Sequence, residues 1–114
     1  MKLPNYERCE VPEAKITKYL LNLGSINGKS KAQFFLAFGF TIDKWEIMAQ
    51  AFKQHAADHE VTAVVPRQSF GTNYVIEGAL LTPDGRNPLV RVIWTINVGG
   101  DIPRLTSAYP LKEA

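Results

Sequence analysis

Two arginines, two threonines and a tyrosine lie on neighbouring stretches near the end of the chain, within NPLVRVIWTINVGGDIPRLTSAYP (Asn87–Pro110). The segment reads as a strand, a turn at Gly99-Gly100-Asp101, and a second strand over Leu105–Tyr109. Side chains two apart on a strand share a sheet face. Val90, Val92, Trp94, Ile96 and Val98 form the core set, and Leu89, Arg91, Ile93, Thr95 and Asn97 the open one. The same alternation puts Arg104, Thr106 and Ala108 on one face of the return strand, and Leu105, Ser107 and Tyr109 on the other. Arg91, Thr95, Arg104 and Thr106 then gather on one accessible surface. Planar guanidinium groups bind oxyanions with two parallel hydrogen bonds, so this surface suits a phosphate. The plainer reading is a solvated sheet face.

Other reactive residue types give weaker signals. His55 and His59 are four apart, a spacing that places both on one helix face and can hold a metal. They are the chain's only histidines and no H-E-x-x-H pattern is present, so packing or a helix-end charge is the better reading and no metal is expected. Gly28-Lys29-Ser30 resembles the end of a phosphate-binding loop, but the motif's earlier glycine falls at Leu23 and no strand precedes it. A basic helix start beside Lys29 and Lys31 can still attract a phosphate. The lone cysteine, Cys9, excludes an internal disulfide and fits a reducing compartment.

The elements that must position these residues follow from periodicity. Pro12 and Glu13 suit a helix start, Ile16, Tyr19, Leu20 and Leu23 make one buried stripe, and Gly24 stops it. Ser30 with Gln33 has the form of a capping box for a second helix that carries Phe34, Phe35 and Phe38 and ends at Gly39. Asp43 with Glu46, and Ile42 with Ile47, mark a capping box and a hydrophobic staple for a third helix. That helix runs to about Asp58 with Trp45, Met48, Phe52 and Ala56 inward. After His59 the period becomes that of strands: Val61–Val65, then Tyr74–Leu81, with Pro66 interrupting between them. Thr82-Pro83-Asp84-Gly85 supplies a tight turn into Leu89–Val98, and Gly78 inside its strand points to a bulge or a close backbone approach. The expectation is an α+β fold, with three N-terminal helices packed on one face of a roughly four-stranded antiparallel meander. Residues 1–114 form one domain in this reading: an irregular lead-in over 1–10, a helical part over 12–58 and a sheet over 61–110.

Composition bounds the function. The 114 residues are 46% hydrophobic and 21% charged, the balance of a soluble globular domain. The net charge of +2 is too mild to establish nucleic-acid binding, though local clustering can make a basic face. No apolar run approaches a membrane span and the first residues lack a signal peptide's apolar core, so a cytoplasmic protein without membrane contact is expected.

The pattern resembles a bacterial family of domains of unknown function, found free-standing and at the C-termini of larger phage-like or secreted toxin proteins. The resemblance covers most of the chain. It is carried by KITKYLL from Lys15, GKSKA from Gly28 with Phe34-Phe35, Gly39-Phe40, GTNY from Gly71, and Gly78-Ala79-Leu80. Further along it is carried by PDGR from Pro83, Val92-Ile93-Trp94, and PRLTSAYP from Pro103. The layout is also similar, at the level of fold, to the ribonuclease-toxin fold of barnase and RelE-like toxins.

That resemblance implies a metal-independent, cofactor-free endoribonuclease toxin in which the RNA 2′-hydroxyl attacks the phosphate. Arg91 and Arg104 would stabilise the phosphate, with Thr106 and Thr95 orienting it. Lys15 and Lys31 would steer the RNA backbone, and Tyr74 would stack on a base. His55 serves as the base if its helix end reaches the sheet; otherwise Tyr109 or a lysine of lowered pKa does. The competing expectation is a binding module whose basic face holds RNA, or an acidic antitoxin or immunity protein, without chemistry. A small assembly domain is the third.

Overall fold

The computed structural model describes residues 1–111. After a 3₁₀ turn at Tyr6–Arg8, the first helix, α1, begins as α-helix over Glu13–Lys15 and widens to a π-helix over Ile16–Leu20. Helix α2 spans Lys29–Ala37 and α3 spans Trp45–Asp58. Four strands come next: β1 Val61–Pro66, β2 Gly71–Ala79, β3 Leu89–Asn97 and β4 Arg104–Pro110. They form one sheet in the order β1-β2-β3-β4 with every neighbouring pair antiparallel. The α+β meander with helices preceding strands is as expected.

The core sits between the sheet and the helices. Ile76, Val90, Val92, Trp94 and Ala108 are fully buried from the sheet, and Ile16, Leu20, Phe35, Met48, Phe52 and Ala56 from the helices. Each large apolar side chain so removed from water contributes about 1.5–3 kcal/mol before entropy. The lead-in is tied to this core by Leu3 and Cys9, both buried. Glu10 N–H donates to Pro103 O at 2.9 Å and Glu10 O accepts from Leu105 N–H at 2.9 Å, extending the sheet briefly beyond β4.

Local signals fared unevenly. Leu23, expected in the buried stripe, is 51% exposed, and Leu21 is buried in its place. The π turn is the cause: Leu21 N–H donates to Ile16 O, five residues back, at 2.9 Å. One extra residue in the turn rotates the positions after it about the helix axis. Neither capping box closes, since the residues at the two N-caps are Gly28 and Lys44, and neither gives a side-chain cap hydrogen bond. At α2 it is Gly28 N–H that donates to Ser25 Oγ at 3.1 Å. Ile42 and Ile47 are 46% and 49% exposed, so no staple is buried. Gly39, with φ of 102°, ends α2 by adopting the left-handed conformation that a helix stop requires.

Candidate functional site

The alternation on β3 is regular, so Val90, Val92 and Trp94 point to the helices while Arg91, Ile93 and Thr95 occupy the opposite face. Strand β4 is not regular. Ile93 pairs with Ser107 and Trp94 with Leu105, which leaves Thr106 as an extra residue. This bulge inverts the alternation beyond it. Leu105 and Ala108 both turn inward, while Arg104, Thr106, Ser107 and Tyr109 all meet the open face. The simple alternation wrongly put Ala108 with Arg104, and it put Tyr109 and Ser107 on the far side.

Hydroxyl groups form the middle of this face. Thr95 Oγ1 donates to Asn73 Oδ1 at 2.7 Å, and its oxygen meets Thr106 Oγ1, whose hydrogen must therefore be the donor in that pair. Ser107 Oγ lies 3.3 Å from the Tyr19 hydroxyl, which reaches over from α1. The Lys15 and Lys31 ammonium groups each stand 5.5 Å from the centre of the Tyr19 ring. Burial alone would push the Tyr19 phenol up. The hydrogen bond with Ser107 and the nearby Lys31 and Lys15 ammonium groups outweigh it and hold the phenol below its ordinary value.

The two arginines flank the hydroxyls and each meets a carboxylate. Arg91 lies directly across from Glu77 of β2, and its Nε and Nη2 both reach Glu77 Oε2 at 2.5 Å. Its guanidinium also lies 5.6 Å from the centre of the Tyr109 ring. Arg104 Nε is 3.7 Å from Glu10 Oε1, with both side chains more than half exposed, a pair that water and salt screen. Shallow depressions of about 370, 390 and 260 Å³ run along the same face, lined respectively by Lys15, Thr95, Arg104 and Thr106, by Lys31 and Tyr109, and by Arg91 and Tyr109. Two others, about 370 and 380 Å³, lie at Ile47 and Pro83, away from this cluster.

The structure thus brings together Arg91, Arg104, Thr95, Thr106, Tyr109, Lys15 and Lys31, and separates His55 and Tyr74 from them. Tyr74 pairs with Trp94 and packs on the core face. The helix end bearing His55 does reach the sheet, but on the covered side. His55 is 2% exposed and its Nε2–H donates to Gly78 O at 3.1 Å. Its pKa is lowered to about 4, by burial first and the neighbouring His59 next among the groups that lower it. His59 Nε2–H donates to Ala79 O at 3.0 Å, and its ring lies where a Gly78 side chain would stand, 2.7 Å from an added Cβ. Gly78 therefore marks the close approach expected of it. Among the described residues no group of three or more His, Cys, Asp or Glu could hold a metal. Burial pushes the Cys9 thiol up, which makes it an inert packing group.

Sequence reasoning passed over Glu77, Tyr19 and Ser107 as site residues. Counting the hairpin outward from its Pro83-Asp84 turn pairs Glu77 with Arg91 and could have found the first. The other two depend on the π turn and the bulge.

The family profile for a domain of unknown function, DUF6883, matches residues 2–112. The chain belongs to the DUF6883 family. No curated protein matches this DUF6883 chain by sequence. Its fold is similar to that of a chain in the contact-dependent growth inhibition toxin–immunity protein complex from Klebsiella pneumoniae 342. That likeness has a TM-score of 0.72 at 16% identity and covers 95% of this chain and 97% of that one. No helix among the described residues is long and apolar enough to cross a membrane.

Proposed function

We propose that this DUF6883 protein is a toxin-type ribonuclease that cleaves RNA by attack of the 2′-hydroxyl on the adjacent phosphate. One observation carries the reading. Four cationic side chains, Arg91, Arg104, Lys15 and Lys31, ring the Thr95, Thr106 and Ser107 hydroxyls on a sheet face that the helices leave open. The shared fold with a chain of a toxin–immunity complex supports a toxin role and a protein partner. The resemblance in layout to barnase and RelE-like toxins supports RNA as substrate.

In this reading the scissile phosphate sits over the hydroxyls. Arg91 and Arg104 stabilise the charge that builds on the phosphorane, and Lys15 and Lys31 hold neighbouring phosphates. Glu77 takes the place expected for a histidine as the base. Its Oε2 is held by Arg91, and among the described residues its Oε1 makes no hydrogen bond and is free to accept the 2′-proton. Held against a guanidinium, the carboxylate is fixed in orientation.

Purified protein incubated with end-labelled RNA should give products ending in 2′,3′-cyclic phosphate. Arg91→Ala or Glu77→Gln should slow the cleavage by about 10²–10³-fold, as expected when one transition-state donor or the base is removed. Expression should arrest bacterial growth, and an Arg91→Ala/Arg104→Ala protein should be harmless yet folded. Uncut RNA together with unaffected growth for the wild type refutes the proposal.

A binding module is the second reading, favoured by the carboxylate partners both arginines already have. RNA bound but never cut, or an acidic protein captured on this face without RNA, is the result that selects it.

A further inference from the structure

We propose that Tyr19 is the proton donor to the leaving 5′-oxygen in this cleavage, an assignment that rests on the ribonuclease reading above. Displacement at phosphorus places the entering and leaving oxygens on opposite sides, so the base and the acid must flank the phosphate. Glu77 is on β2. Tyr19 lies beyond β4, against Ser107. Strand β3, with Arg91 and Thr95, runs between them. Strands β2 and β4 are two inter-strand spacings apart, about 10 Å, and Ser107, paired with Ile93, is two residues along the strand from the row of Glu77 and Arg91. A phosphodiester lying obliquely over β3 would face Glu77 on one side and Tyr19 on the other. Tyr109 also lies on the β4 side, directly across Arg91 from Glu77, but its ring is taken up by the Arg91 guanidinium, 5.6 Å from its centre.

The surroundings of the phenol fit the role. Its hydroxyl is held by Ser107 Oγ at 3.3 Å rather than being buried in the apolar core. Lys15 and Lys31, each 5.5 Å from the ring centre, are placed to stabilise the phenolate left after the proton departs. They also hold the phenol below its ordinary pKa against the effect of burial. The step balances. The 2′-oxygen bonds to phosphorus as its proton passes to Glu77. The bond from phosphorus to the 5′-oxygen breaks, and that oxygen takes its electron pair and the Tyr19 proton. Solvent water then returns a proton to the phenolate.

The test compares two substrates. One is an ordinary RNA oligonucleotide and the other carries sulphur in place of the leaving 5′-oxygen, a group that departs as a thiolate without protonation. Tyr19→Phe keeps the ring between the lysines and removes only the hydroxyl. It is expected to slow cleavage of ordinary RNA by about 10²–10³-fold and of the sulphur substrate by less than about threefold. Unchanged affinity for an uncleavable 2′-deoxy oligonucleotide verifies the folded face. Should that variant not fold, Ser107→Ala frees the phenol from its anchor and should show the same split between substrates, smaller in size. Equal loss on both substrates, or no loss on ordinary RNA, overturns the assignment while the ribonuclease reading stands. Cleavage of neither substrate by the wild type overturns both.

Discussion

Replacing His55 by glutamine should remove much of the acid sensitivity of the fold. His55 is 2% exposed, and its Nε2–H is committed to Gly78 O. Its Nδ1 is buried without a partner, so a second proton would add both a charge and an unsatisfied N–H to the interior. The folded pKa is accordingly about 4, against 6.5 for the free side chain. Because the folded value is the lower one, the unfolded chain takes up the proton first as pH falls. The stabilisation is complete above 6.5 and is lost between 6.5 and about 4. At 1.36 kcal/mol per pH unit the loss is about 3 kcal/mol in full, of which about 2.5 falls between pH 7.5 and 4.5. Urea unfolding of wild type and His55→Gln across that range measures it, since glutamine keeps a donor for Gly78 and the surface carboxylates are common to both proteins. The wild type should lose about 2.5 kcal/mol more than the variant. Parallel curves would refute the argument that a buried neutral imidazole sets this sensitivity.

Two further outcomes come from the packing. Leu21→Ala should cost about 2–5 kcal/mol in thermal or urea unfolding while Leu23→Ala stays within about 0.5, which is opposite to what a regular α-helical stripe requires. Gly78→Ala should lower stability by about 1–3 kcal/mol, because the added methyl meets the His59 ring, and His59→Ala in the same chain should recover part of the loss.

Long regular patterns were legible in the sequence. Val90, Val92 and Trp94 alternate without interruption, and Met48, Phe52 and Ala56 keep the helical period for most of α3. His55, seven residues after Met48 and three after Phe52, belongs to that same buried stripe, in keeping with the packing reading of its spacing. The Pro83-Asp84-Gly85 turn placed the hairpin, but Glu77 emerges only when the register is counted from it. The π turn at Ile16–Leu20 and the extra residue Thr106 in β4 could not be read. Each is a single inserted position with ordinary composition, and each reverses or rotates everything after it. The capping boxes failed for a different reason: both helix starts form without their help, α2 behind the Ser25–Gly28 turn and α3 after a turn in which Trp45 N–H bonds Ile42 O at 3.2 Å.

The π turn and the β4 bulge meet at one place, the contact between Tyr19 and Ser107. Straightening either element by deleting its surplus residue would tend to give a tougher protein, since both departures from regularity weaken backbone hydrogen bonding. It would also aim the phenol or the serine elsewhere. A screen that rewards heat resistance alone should therefore drift toward shortened chains that have gone quiet.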